Sequence, residues 1–176
     1  MRTIGLFVAL SFVSMSLSAQ PATPRKAPEF TVVEPSGKQM LLSSYKGKVV
    51  VLAFISTACS HCQAECGVLN KLQGELGSKG LQPLAVAFND NAALLVNDFV
   101  QNFHVAFPVG SASRETVMSY LQITDKDRWV YPQMVLIDRK GMIVAQSAPG
   151  GSEELQAEDS LRKRLVGLLG AAKSGH

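Results

Sequence analysis

Residues 49–62 read VVVLAFISTACSHC, a long apolar run followed by a pair of cysteines. The first eight of these residues, Val49 to Ser56, are apolar except for the last, and such a run is typical of a strand buried on both faces. After the second cysteine, apolar residues recur at the spacing of an amphipathic helix, at Val68, Leu69, Leu72 and Leu76. The stretch therefore predicts a buried strand and a helix, with both cysteines at the junction between them.

This junction gives the two cysteines, Cys59 and Cys62, a specific chemical setting. Free backbone N–H groups and the positive end of the helix dipole stabilise a negative charge near the first helical turn. At such a site the pKa of a cysteine thiol can fall from about 8.5 to between roughly 3.5 and 7.5. Because the thiolate is the species that attacks disulfides, the placement favours a redox pair over a structural pair or half of a zinc site.

The N-terminal segment predicts export. Arg2 precedes an uncharged segment whose apolar centre spans residues 4–13 and which continues into small residues. This pattern is typical of a secretory signal peptide at residues 1–19, cleaved after Ala19 or as late as Ala22. The alternative is an uncleaved membrane anchor, but serines interrupt the run short of the ~20 apolar residues that a spanning helix needs. We expect an exported protein, periplasmic in a bacterium with two membranes, in a compartment where disulfides persist.

Length, charge and cysteine count limit the kinds of partner and site that the chain can have. The 176 residues suffice for one domain of ordinary size. Once the leader with Arg2 is removed, 16 Lys and Arg face 14 Asp and Glu, an excess of two spread along the chain. This small charge favours neither nucleic acid nor another polyanion. Three cysteines, one pair and one left over, are typical of a redox or a metal site, and of these we expect the redox site, with no cofactor and no bound metal.

Turn signals divide the rest of the chain. Residues 20–28 contain three prolines and predict a linker, residues 29–170 form the domain, and residues 171–176 are a polar tail. Within the domain the predicted order is hairpin, strand, helix, strand, helix, short helix, two strands joined by a tight turn, and a final helix capped by Ser152. This order predicts an α/β fold with a mixed central β-sheet flanked by helices on both faces.

The chain resembles the thioredoxin superfamily, and more narrowly the exported TlpA/ResA-like thiol–disulfide oxidoreductases of the redoxin (AhpC/TSA) type. The similarity covers roughly residues 27–170, and its short motifs occur in the family's order. They are APEF at 27–30, LSSYKGKVVV at 42–51, CSHCQAE at 59–65, FPV at 107–109 and VLIDRKG at 135–141. The resemblance implies a thioredoxin-like fold with an N-terminal β-hairpin and a central βα insertion.

The resemblance also implies a role for each matched residue. Cys59 would be the nucleophile and Cys62 the resolving cysteine, joined in the oxidised state as the Cys59–Cys62 disulfide. Glu65 occupies the position of an acidic residue that tunes the thiols, and Tyr131 and Pro132 match the loop that carries a cis-proline. The implied partners are exported proteins with thiols or disulfides, such as apo-cytochrome c, and a membrane thiol donor or acceptor.

The chain departs from the family pattern at three positions. The family usually has Trp where Ala58 stands, Thr where Tyr131 stands, and proline where Gly67 stands. Trp129, two residues before Tyr131, adds a second aromatic side chain to the proline loop. These changes are compatible with the fold, and they leave the substrate open.

Three residues have two interpretations each, and a fourth has one. His61 either stabilises the Cys59 thiolate or is a surface residue, and Glu65 either tunes the thiols or is a solvated charge. Cys66 lies on the same helical face as the pair, as a buried small hydrophobe or as an alternative disulfide partner. His104, between Phe103 and Val105, is expected to be structural.

Two other functions use the same residues. Cys59, Cys62 and Cys66 with His61 offer soft ligands suited to Cu(I), as in a metal-delivery protein of the same fold. A peroxidase of the peroxiredoxin type would place proline seven residues, and Thr or Ser three residues, before its reactive cysteine. Here those positions hold Leu52 and Ser56, so half of that motif is missing.

Overall fold

The computed structural model of the chain describes residues 21–170. The predicted signal peptide at 1–19 and the predicted polar tail at 171–176 lie outside the described residues. No helix within the described part is long and apolar enough to cross a bilayer.

A mixed sheet of eight strands forms the centre of the domain. In chain order these strands are β1 (Arg25–Lys26), β2 (Thr31–Val33), β3 (Gln39–Leu41), β4 (Val49–Ile55), β5 (Leu81–Ala87), β6 (Val109–Ser111), β7 (Gln133–Ile137) and β8 (Met142–Gln146). Across the sheet the order is β1-β8-β7-β4-β5-β6-β2-β3. The central strand β4 pairs in parallel with β5 and antiparallel with β7, so the sheet is mixed as predicted.

Helices cover both faces of this sheet. They are α1 (Ser60–Leu76), α2 (Ala92–Asn102), α3 (Arg114–Leu121), α4 (Glu153–Gln156) and α5 (Glu158–Gly170), with short 3₁₀ turns at Leu42–Tyr45 and Gly77–Lys79. Every residue of β4 is buried, because its side chains alternate between two cores. Ile55 and its like-facing neighbours pack with α1 and α5, whereas Phe54 and its neighbours pack with α3 and the N-terminal hairpin.

The predicted hairpin and insertion are present. β2 and β3 pair antiparallel over three residues each, and they form the N-terminal hairpin at one side of the sheet. The helix α2 and the short strand β6 form the central insertion, with β6 parallel to β5 and antiparallel to β2.

The structure differs from the sequence interpretation in the segment that was predicted to be a linker. Arg25 and Lys26 pair antiparallel with Ile143 and Met142 as an edge strand. The Arg25 guanidinium donates a hydrogen bond of 2.6 Å to Gln146 Oε1. Local proline content signals a linker, but the partners of this segment lie at the far end of the chain, where local composition cannot show them.

The C-terminal helix also differs, because it is divided in two. Ala157 adopts an extended conformation between α4 and α5, and the Ser152 side chain makes no capping hydrogen bond. The break lets Leu155 enter the core, where it is 2% exposed. It also lets the Gln156 amide donate to the carbonyl of Pro132 at 3.1 Å.

Candidate functional site

The two paired cysteines lie at the C-terminal end of β4, where the chain enters α1. Cys59 is the N-cap of α1, in an extended conformation, and its sulfur accepts a hydrogen bond of 3.3 Å from the backbone N–H of Cys62. A thiol thus takes the place of the hydroxyl or carboxylate that usually caps a helix. All three cysteines are free thiols in this structure.

The two thiols differ in their surroundings. Cys59 is partly exposed, whereas Cys62 is fully buried and its sulfur accepts a weak hydrogen bond from the Ser56 N–H at 3.5 Å. Burial and the hydrogen bond with the Cys59 thiol raise the pKa of Cys62 well above its usual range. The reduced site therefore has one thiol that solvent and partners can reach and one that stays protonated beneath it.

The loop before Cys59 is held by a residue that sequence reasoning missed. The Asn89 side chain accepts a hydrogen bond of 2.9 Å from the Thr57 N–H and donates one of 3.1 Å to Thr57 Oγ1. Thr57 follows β4 and Asn89 follows β5. Because these two strands pair in parallel, both loops begin at the same end of the sheet, where the strands have their carboxyl ends. The sequence predicted the order of these strands along the chain but not their parallel pairing. That pairing is the feature from which the position of Asn89 beside the cysteine loop could have been inferred.

Glu65 lies in the second turn of α1 and is 5% exposed. Its Oε1 atom has no hydrogen-bond partner among residues 21–170. Burial raises the pKa of this carboxyl to about 7. The sequence left open whether Glu65 is a solvated charge; the structure places it inside the protein, where it can exchange a proton near neutral pH.

A groove of about 760 Å³ begins beside the cysteine helix. His61 and Glu65 line one side of it, and residues 150–153 with Gln156 line the other. Tyr131 and Pro132 also line the groove, and the peptide bond that joins them is cis.

Side-chain amides hold the proline loop in place. The Gln133 amide donates to the carbonyls of Val130 and Pro149, at 2.8 and 3.0 Å. The Val130 N–H donates to the same Pro149 carbonyl at 2.9 Å. Val130 lines the groove and is 43% exposed, so this anchored loop carries an exposed apolar side chain at the groove.

An aromatic cluster supports this loop from the side of β5. The Phe88 ring lies 4.9 Å from the ring of Tyr131 and 5.4 Å from that of Trp129, and the latter two rings are 5.0 Å apart. The Arg114 guanidinium lies 4.8 Å over the Trp129 ring, within the range of a cation–π interaction. Tyr131, which departs from the family pattern, thus packs against Trp129.

The remaining candidate residues, Cys66 and His104, have different locations. Cys66 is fully buried, and burial together with the Glu65 charge raises the pKa of its thiol to about 12. His104 lies away from the site with a positive φ of 49°, and its carbonyl accepts a hydrogen bond of 2.9 Å from Asn70. Cys59, Cys62, His61, Glu65 and Pro132 therefore gather at one end of the sheet, and His104 does not.

The two alternative functions find little support in this geometry. Within residues 21–170, no three His, Cys, Asp or Glu side chains lie close enough to hold a metal ion, so the ligand set suggested for Cu(I) is not assembled. Leu52, at the position of the peroxidase proline, is fully buried in the middle of β4 and packs on the face opposite Cys62.

Known proteins resemble this chain in sequence and in structure. The AhpC/TSA family matches residues 24–146. Over 140 residues the chain is 31% identical to the thiol-disulfide oxidoreductase ResA of Bacillus thuringiensis, covering 79% of this chain and 76% of that protein. Over 150 residues it is 27% identical to ResA of Geobacillus kaustophilus, covering 81% of this chain and 83% of that protein.

Two solved structures show the same thioredoxin-like fold. A thiol:disulfide interchange protein of the thioredoxin family from Chlorobium tepidum superposes with a TM-score of 0.68 at 23% identity, covering 85% of this chain and 99% of that one. A thiol:disulfide interchange protein from a Bacteroides species superposes with a TM-score of 0.68 at 24% identity, covering 88% and 95%. The predicted thioredoxin-like fold is confirmed.

Proposed function

The chain belongs to the AhpC/TSA family, among relatives that are ResA-type thiol–disulfide oxidoreductases, and on that premise we propose that it exchanges disulfides with exported proteins through Cys59 and Cys62. The observation that carries the proposal is the asymmetry of the pair. One sulfur is accessible at a helix N-terminus, and the other is buried within reach of the first.

The reaction follows from that asymmetry. The Cys59 thiolate attacks one sulfur of a substrate disulfide, a mixed disulfide forms, and the other substrate sulfur leaves as a thiolate that takes up a proton. Cys62 then loses its proton and attacks the Cys59 sulfur. The Cys59–Cys62 disulfide forms and the second substrate sulfur leaves, so the substrate gains two electrons; the reverse sequence oxidises a dithiol.

Each step has a residue suited to it. The first needs a thiolate at Cys59, which the N–H of Cys62 and the dipole of α1 would stabilise. In this proposal the imidazole of His61, two residues further along the chain, adds to that stabilisation. The second needs a base for the buried Cys62 thiol. Glu65 is three residues further along the helix, buried, and titrates near neutral pH, so we assign that proton to it.

The substrate is proposed to lie in the groove beside this pair. Its segment would run along Tyr131 and Pro132, which line the groove together with His61, the residue before Cys62. The leader-like N-terminus supports an exported, periplasmic setting. Following the resemblance of its motifs to the TlpA/ResA-like oxidoreductases, we propose apo-cytochrome c as a substrate class and a membrane thiol donor or acceptor as the redox partner.

Trapping of the mixed disulfide tests the proposal. In Cys62→Ser the resolving sulfur is absent, so a peptide disulfide should remain joined to Cys59, as mass spectrometry of tryptic fragments would show. Cys59→Ser should trap nothing. The reduction potential of the wild-type pair gives the direction, with values near about −120 mV indicating an oxidase and values below about −250 mV a reductase. Trapping through Cys62 or Cys66 instead would contradict the assignment.

A further inference from the structure

Two consecutive residues at the end of β5, Phe88 and Asn89, contact both halves of the site. The Phe88 ring packs 4.9 Å from Tyr131, the residue before Pro132. The Asn89 side chain bonds to Thr57, two residues before Cys59. One short segment therefore contacts the cysteine loop and the proline loop, although neither lies near it in the sequence.

The contacts of Asn89 use every polar atom of its side chain. Its Oδ1 atom accepts from the Thr57 N–H at 2.9 Å and from Thr57 Oγ1 at 3.4 Å. Its Nδ2 atom donates to Thr57 Oγ1 at 3.1 Å and to the Asp90 carbonyl at 3.0 Å. The Asn89 carbonyl also accepts the Ala92 N–H at 3.0 Å, where α2 begins.

The other hydrogen bonds of the loop between β4 and α1 are local or reach α1. The Ala58 N–H donates to Ser56 Oγ at 3.4 Å and the Cys59 N–H donates to the Ser56 carbonyl at 3.2 Å, both within the loop itself, and the Ser56 N–H donates to the Cys62 sulfur at 3.5 Å. The bonds from Thr57 to Asn89 join the loop to the segment that follows β5. Without them, the Thr57 N–H would lose its partner and the backbone before Cys59 would gain conformational freedom.

We propose that Asn89 is a positioning residue for disulfide exchange, which fixes Thr57 and thereby keeps the Cys59 sulfur against the N-terminus of α1. The proposal rests on the proposed function of Cys59 as the nucleophile. A sulfur at an N-cap benefits from the helix N–H groups only while its backbone stays in the capping conformation. Asn89 acts on the reactive thiol through the loop and contacts no substrate.

Asn70 offers a matched control. Its side chain makes the same kind of clasp, donating to the His104 carbonyl at 2.9 Å and accepting from the Ala106 N–H at 2.8 Å. It lies eleven positions after Cys59 on α1, roughly 16 Å along the helix at 1.5 Å per residue. Removing the Asn70 amide costs two hydrogen bonds and removing the Asn89 amide costs four, and of the two side chains Asn89 is the one bonded to the cysteine loop.

The experiment measures the pKa of Cys59 in the reduced full chain, from the pH dependence of its alkylation by iodoacetamide, in wild type, Asn89→Ala and Asn70→Ala. We expect Asn89→Ala to raise this pKa, so that alkylation at pH 6 slows about 3- to 10-fold, because less of Cys59 is thiolate. The pair should also become less oxidising. Asn70→Ala should leave both quantities at the wild-type value while lowering stability.

A second variant covers the case in which Asn89→Ala does not fold. Thr57→Val removes the hydroxyl but keeps the N–H bond to Asn89, and it should raise the pKa of Cys59 by a smaller amount. Equal Cys59 pKa values in wild type and Asn89→Ala, or in wild type and Thr57→Val if only that variant folds, would overturn the inference. The proposed function is judged separately, because its failure would appear with Asn89 intact as absent trapping in Cys62→Ser.

Discussion

The sulfur of Cys59 accepts the backbone N–H of Cys62, three residues further along the chain, at 3.3 Å. This bond is at once the cap of α1 and the contact that orders the two cysteines. A hydrogen bond to a charged acceptor is roughly twice as strong as one to a neutral acceptor, so the cap strengthens when Cys59 loses its proton. The cap thus places the Cys59 sulfur at the N-terminal end of α1, the position that the proposed exchange uses.

Alkylation should distinguish the three thiols. Cys59 is partly exposed, whereas Cys62 and Cys66 are fully buried and burial raises the pKa of each. At pH 7 and short times, we expect iodoacetamide to modify Cys59 at least tenfold faster than either other cysteine, as peptide mass spectrometry would measure. In urea all three should react at similar rates. Early modification of Cys62 or Cys66 in the native protein would refute the asymmetry on which the mechanism depends.

Cys66→Ala should separate an exchange enzyme from a copper protein. Cys66 packs in the core beside Cys62, so its replacement should lower the free energy of unfolding by roughly 1–2 kcal/mol. Insulin reduction should stay within about twofold of wild type, since the proposed exchange needs only Cys59 and Cys62. Cys62→Ala is the control, and it should lose the activity. Loss of activity together with loss of stoichiometric Cu(I) binding in Cys66→Ala would instead favour metal delivery.

Glu65 should make the protein less stable as the pH rises. Burial raises the pKa of its carboxyl to about 7, from an ordinary value near 4.5, so the folded state prefers the protonated form. The stabilisation is complete below about pH 4.5 and is lost as the pH passes through 7, a change on the order of 3 kcal/mol. Glu65→Gln should remove this slope, as urea unfolding at pH 5 and pH 8 would measure.

Glu153→Gln is the control for that experiment. Glu153 lines the same groove but is exposed, so its replacement should leave the pH dependence as in wild type. If Glu65→Gln and wild type lost stability in parallel between pH 5 and pH 8, the buried carboxyl would not be the group that titrates.

Two glycines should respond in opposite directions to alanine. A Cβ atom at Gly110 in β6 would lie 2.5 Å from the Val33 carbonyl oxygen and 2.6 Å from a Val32 methyl group. We expect Gly110→Ala to push β2 away and to lower the free energy of unfolding by about 1–3 kcal/mol. Gly67, in the exposed part of α1, has nothing within 4 Å of such an atom.

Gly67→Ala should therefore stabilise the protein, by up to about 1 kcal/mol, because alanine has the higher helix propensity. Urea unfolding of both variants checks the pair. A Gly110→Ala variant as stable as wild type would mean that β6 and β2 do not approach as closely as the structure shows.

Local sequence patterns were sufficient for most of the elements. The two strands predicted on either side of a tight turn are β7 (Gln133–Ile137) and β8 (Met142–Gln146), and they were predictable because adjacent residues encode such a turn between two apolar runs. The continuous apolar run at β4 likewise predicted a strand buried on both faces. The position of Cys59 at the start of α1 followed from the same short range of sequence, since strand, cysteine and helix are consecutive.

Contacts between distant segments decided the rest. The sequence left open whether Glu65 is solvated, because its burial depends on the residues that pack over α1 from elsewhere in the chain. Arg25–Lys26 forms an edge strand because it pairs with the free side of β8, near the other end of the chain. The last helix is divided at Ala157, where Leu155 packs in the core and the Gln156 amide donates to the Pro132 carbonyl. The Asn89 side chain bonds to Thr57 because β4 and β5 lie side by side in the sheet. Periodicity and turn chemistry act over a few residues and so can be inferred from sequence, whereas burial and side-chain pairing depend on which segments the folded chain brings together.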